Sequence, residues 1–103
     1  MSITTANVTT AGGNIYTSSG NTVITWISLC NTTAGHITAN VHVLESGATA
    51  NAQNKIVSEV LITIGDTYQI YTGNEKLLLD NAGAIYVVAN ANSISAVTSY
   101  TSA

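Results

Sequence analysis

The side chains able to do acid–base, metal or nucleophilic chemistry are few in this chain. Its 103 residues hold five Asp or Glu, two His, two Lys, one Cys, no Arg and no Pro. His36 and His42 stand six apart. On one strand they would share a face about 20 Å from each other, too far for one zinc ion; only a loop at His36 would shorten the gap, with Glu45 as a third donor. They read as exposed polar residues. The carboxylates are Glu45, Glu59, Asp66, Glu75 and Asp80. Two of them in one cleft could hydrolyse a glycoside. Asp66 and Asp80, however, lie beside Gly and Asn, where a carboxylate bonds nearby backbone N–H groups and stabilises a turn. A Ser-His-Asp triad needs a nucleophile on a strained turn, and no Gly-x-Ser-x-Gly elbow is present. The reading is therefore non-enzymatic, with no catalytic, metal-binding or cofactor-binding set.

The remaining candidates have structural explanations. Cys30 has no second cysteine to bridge and sits in an apolar run, so it reads as a small buried hydrophobe. Asn7-Val8-Thr9 and Asn31-Thr32-Thr33 match the glycosylation sequon, as expected by chance in a chain rich in Asn and Thr, and read as unmodified. Trp26, Tyr16, Tyr68, Tyr71, Tyr86 and Tyr100 could form a row that stacks on sugar rings. With no Phe in the chain, these aromatics are expected to supply core bulk instead, with Trp26 buried in mid-strand and the tyrosines at sheet edges.

Charge narrows the partner classes. The net charge is −3, with only 7% charged residues. Two lysines cannot neutralise a phosphate backbone, and no basic amphipathic stretch faces a lipid headgroup, so nucleic acid and membrane are not expected partners. Apolar runs such as Val60-Leu61-Ile62 and Leu77-Leu78-Leu79 are too short for a membrane helix. Met1-Ser2-Ile3-Thr4 shows no signal-peptide pattern, so the chain is expected to be made and kept without secretion. A surface of Thr, Ser and Asn meets another neutral surface without stripping water from ions, which suits a permanent assembly.

The elements that must position these residues read as strands. Thr, Val, Ile and Tyr recur between Gly-, Asn- and Ser-rich turns every eight to twelve residues. Strands are predicted at Ile3–Thr10, Ile15–Thr17, Thr22–Cys30, Ile37–Leu44, Ile56–Ile64, Thr67–Thr72, Ala84–Ala91 and Ile94–Thr101, with a short apolar segment at Lys76–Asp80. In the clearest strand, period two puts Val23, Thr25, Ile27 and Leu29 on one face and Ile24, Trp26, Ser28 and Cys30 on the other. The 56–64 segment also fits a helix face, but its β-branched residues favour strand. Glu45–Asn54 reads as a loop, and turns are placed at Gly65-Asp66, Gly73-Asn74, Asp80-Asn81-Ala82-Gly83 and Asn92-Ser93. The expectation is one all-β domain over residues 1–103, an antiparallel β-sandwich of about eight strands of Greek-key or jelly-roll type.

Several segments resemble small all-β virion structural proteins of tailed bacteriophages, including phages of cyanobacteria. They are Thr9–Thr17 with its Gly turn and Ile-Tyr-Thr, Leu29-Cys30-Asn31, Asn54–Ile70, Lys76–Val87 and Ile94–Tyr100. The similarity spans nearly the whole chain and is carried by turns and strand faces. It departs at Ala84, where the pattern has an acidic residue after the glycine. The resemblance implies a virion protein, foremost a head decoration or cement subunit contacting the major capsid protein or other virion proteins. It also implies a homo-oligomer, with a trimer the natural guess, and carries over no catalytic residues. The alternative is a tail, neck or fibre module that binds a receptor or carbohydrate.

Overall fold

The computed structural model describes residues 2–51, 53–71, 77–90 and 94–102. These form nine strands: β1 (Ser2–Val8), β2 (Gly13–Thr17), β3 (Thr22–Asn31), β4 (Ile37–Leu44), β5 (Lys55–Ile62), β6 (Thr67–Tyr71), β7 (Leu77–Leu79), β8 (Ala84–Ala89) and β9 (Ile94–Ser102). The 56–64 segment is a strand as far as Ile62, with Thr63 and Ile64 entering the turn that follows. Among the described residues no helix is long and apolar enough to cross a membrane. The turns expected at Gly73-Asn74 and Asn92-Ser93 lie outside the described residues, as does Glu75.

The pairing reads as one long antiparallel hairpin rolled up on itself. Its two arms pair as β1 with β9, β2 with β8, β3 with β6 and β7, and β4 with β5. Rolling then brings β9 against β3 and β8 against β4. The result is two sheets, β1-β9-β3-β6 with β7 also on β3, and β2-β8-β4-β5. This is jelly-roll connectivity. The ninth strand arises because β6 and β7 follow one another along the same edge of β3, at Trp26–Cys30 and Thr22–Ile24. They are two pieces of one arm, so the expected eight becomes nine by an interruption and not by a new layer.

Between the sheets lies an aliphatic core. Ile24, Ile27 and Leu29 of β3 meet Ile37, Ala39 and Val41 of β4, Ile85 and Val87 of β8, and Ile94 of β9. The aromatics do not supply its bulk, contrary to expectation. Tyr16, Tyr68 and Tyr100 pack against its margin, and Tyr16 stacks on Tyr100 at a 4.4 Å centroid distance. Branched aliphatics on paired strands interdigitate more closely than flat rings across so narrow a sandwich.

A β-bulge overturns the expected faces of β3. The pairing of β3 with β9 slips between Ile24 and Trp26, leaving Thr25 as the extra residue, and the Thr25 hydroxyl donates to the Ser99 carbonyl at 3.0 Å. The extra residue resets the phase, so Ile24 joins Ile27 and Leu29 in the core. Trp26 is consequently half-buried and outside the core cluster, and Cys30 is half-buried as well. Both had been expected inside.

Two local defects give direct tests. The Thr98 hydroxyl, on the core side of β9, is buried with no hydrogen-bond partner. Thr98→Val keeps the shape and removes the unpaired group, and is expected to raise stability by about 1 kcal/mol, read as a higher urea midpoint at unchanged slope. In the tight Asp80–Gly83 turn, closed by Gly83 N–H to the Asp80 carbonyl at 2.9 Å, Ala82 has φ of 68°. That left-handed backbone crowds a Cβ. Ala82→Gly is expected to gain roughly 0.5–1 kcal/mol in the same assay, because relief of strain exceeds the added freedom of the unfolded chain.

Candidate interaction surface

The fold separates most of the candidate chemical residues but brings Glu45 and Asp80 to one groove, beside Lys55. Glu45 follows β4, Glu59 sits within β5, Asp66 lies in the β5–β6 turn and Asp80 in the β7–β8 turn. No group of three or more His, Cys, Asp or Glu among the described residues converges as a metal site. Asp66 does what a turn carboxylate should: its Oδ1 accepts the Thr67 N–H at 2.9 Å, and its own N–H reaches the Thr63 carbonyl. Asp80 closes its turn through its backbone carbonyl. Glu59 has φ of 49° at a slip in the β4–β5 register, and its N–H is taken up by Asn40 Oδ1 at 2.7 Å. It marks a bulge on an edge strand, a common device against edge-to-edge pairing.

The two histidines do not share a strand. His36 precedes β4, is exposed as expected, and accepts the Ile64 N–H on Nδ1 at 3.3 Å. His42, by contrast, is buried, which corrects the sequence reading. It points away from the core, on the outer side of β4 opposite Tyr86 of β8, and the 45–54 loop folds back towards it. Asn54 Oδ1 lies 2.8 Å from His42 Nδ1 and also accepts the Asn51 N–H, while Asn54 Nδ2 donates to the Thr49 carbonyl. The imidazole therefore carries a proton on Nδ1 and pins the loop. Its ring meets Tyr86 edge-on at 5.7 Å, and the Tyr86 hydroxyl donates to the Ala11 carbonyl. A side chain at Gly12 would collide with that hydroxyl. His42 thus acts as a strut between β4 and the loop that follows it.

Asn31 has a role that the sequon match hid. It is 1% exposed. Its Nδ2 donates to the carbonyls of Gly35, Ile62 and Thr63 at 2.8, 3.0 and 3.2 Å, and its Oδ1 accepts the N–H and hydroxyl of Thr33 at 2.9 and 2.6 Å. A nitrogen so engaged is closed to a glycan. The signal available in the sequence was an Asn at a strand end before Thr-Thr-Ala-Gly, a setting in which Asn caps its own turn.

The four tyrosines whose side chains are described form no row. Tyr16 and Tyr100 stack on each other, Tyr86 is tied down beside His42, and Tyr68 packs on the core margin.

What the fold does assemble is a face. Residues opposite one another on paired strands share a side of the sheet. The outer side of the five-stranded sheet therefore carries three cross-strand rows: Ile3, Ser99 and Trp26; Thr5, Val97, Ser28 and Gln69; Asn7, Ser95, Cys30 and Thr67. None of these eleven is a carboxylate, an ammonium or an imidazole. Ile3 is 68% exposed at one corner, Val97 and Trp26 are half-buried, and hydroxyls and amides fill the spaces between. The other sheet differs, with Lys55, Glu59 and the buried His42 on β4 and β5. A flat uncharged sheet face is chemically suited to lie against another protein, since no ion loses its water on contact. Compared with protein-family models, curated proteins and solved structures, the chain matches none, so its function has to be read from this surface and its fold.

Proposed function

We propose that the protein is a non-enzymatic structural component of a tailed-phage particle, acting as a decoration or cement subunit that strengthens the head through protein–protein contacts. The observation that carries this reading is the uncharged outer face of the five-stranded sheet. It offers Ile3, Trp26 and Val97 among hydroxyls and amides, and a neighbour can cover it at little desolvation cost. The sequence resemblance supplies the setting. The major capsid protein or another virion protein is the partner, and copies of this chain, with three as the working number, repeat the contact by symmetry. Repetition turns a weak single contact into a strong array.

Co-sedimentation of the purified protein with heads of the phage that encodes it tests the proposal, together with its own self-association. Binding that saturates at a fixed number of copies per head is expected. A protein that neither binds heads nor self-associates at micromolar concentration overturns it.

A further inference from the structure

A second surface lies at one end of the sandwich, where the free edges of the two sheets approach. The order of the four-stranded sheet ends on β5, and β7 sits on the open edge of the five-stranded sheet. Lys55 and Ile56 of β5 and Leu78 and Leu79 of β7 line one groove of about 620 Å³. Of the five large apolar side chains exposed on the described surface, two border it: Ile56 at 48% and Leu78 at 66% exposure. Val43 and Leu44 also line it, as do the two acidic residues Glu45 and Asp80 against the single cation Lys55.

We infer that this groove receives an extended segment of a partner protein in which a Lys or Arg stands beside apolar side chains. β7 and the Lys55–Ile56 stretch of β5, ahead of the Glu59 bulge, have one strand partner each among the described residues, the setting in which a sheet takes up an added strand. Ile56 and Leu78 offer apolar contact to alternate side chains of that segment, and the Glu45 and Asp80 carboxylates complement its positive charge. A second copy of this chain is the poorer occupant. It has two lysines in total, one of them Lys55 in the groove itself, and so brings almost no positive charge. The inference rests on the proposed structural role and adds the chemistry of the partner segment.

The test is a titration of the isotope-labelled full chain with the peptide acetyl-Thr-Lys-Val-Thr-Val-Lys-Thr-amide and with its counterpart bearing Glu for Lys, followed by amide shifts. Shifts confined to residues around 43–45, 53–57 and 78–83 are expected for the lysine peptide only. Asp80→Asn and Glu45→Gln should each weaken binding about tenfold and flatten its salt dependence. Leu78→Ser, at an exposed position that leaves the fold intact, should also weaken it about tenfold. Silence at millimolar peptide, equal binding of the glutamate peptide, or shifts centred elsewhere would overturn the inference. So would concentration-dependent shifts of these same residues in the chain alone, which would assign the groove to a second copy. Head binding that persists while the peptide fails counts against this inference alone. Peptide binding that persists while head binding fails counts against the particle role.

Discussion

Replacing Asn31 by Ala is expected to lower stability by about 2–4 kcal/mol, the largest loss from any single surface-loop anchor in the molecule. The change removes the donor to the buried Ile62 carbonyl and breaks the half-exposed contacts of the side chain with the Thr63 and Gly35 carbonyls and the Thr33 N–H. Two connections would loosen together, β3–β4 and β5–β6, because the Asn31 side chain bridges them and its N–H also reaches the Asp66 carbonyl at 3.0 Å. In a chain this size the loss amounts to roughly 10–25 °C in melting temperature. Asn31→Asp separates the contributions: it retains the acceptor for Thr33 but turns a negative oxygen towards three carbonyls. A loss comparable to that of the Ala variant is expected. A drop of less than 1 kcal/mol in both variants, by urea denaturation, would show that the hub is ornamental.

The second large effect concerns association. Val97 lies in the middle row of the uncharged face, between Thr5 and Ser28. Val97→Asp places a carboxylate where a neighbour would have to cover it. An unpaired charge buried on contact costs several kcal/mol, so head binding should fall by at least about a hundredfold. The cost to the folded chain itself is about 1 kcal/mol or less, set by the weaker fit of Asp to a strand. Sedimentation and circular dichroism on one sample separate the two effects. A folded Val97→Asp variant that binds as the parent does would remove this face from the interface.

Much of the architecture was legible because its signals are local. Gly, Asn and Ser clusters cut the chain where the strands end, and Ile37, Ala39 and Val41, alternate residues of a predicted strand, all lie in the core. The errors come from what a period of two cannot contain. The bulge at Thr25 moved Ile24 inward and Trp26 outward, and depends on a pairing with Ser99 that no local window reveals. His42 occupies an outward position, as alternation requires, yet is buried because the loop after its own strand returns over it through Asn54. The interaction face was foreshadowed only as low charge, since composition cannot say that eleven neutral positions fall on one side of one sheet. The groove was still less visible, because Ile56 and Leu78 become neighbours only when the hairpin rolls.

That rolling has a kinetic side. Glu45–Asn54 is the tip of the hairpin, and β4 with β5 is the pair that closes the shortest loop. Each step outward from the tip closes a longer one, ending where Val8 must find Ile94. Loop-closure entropy rises with each step, so the ends of the chain zip last and the whole assembles over milliseconds to seconds, slowly for its size. Until then β1 and β9 leave their uncharged rows bare in the crowd of other nascent copies. A chain made in many copies would therefore meet its chief hazard before the sandwich shuts, and the Glu59 kink in β5 guards an edge that forms early.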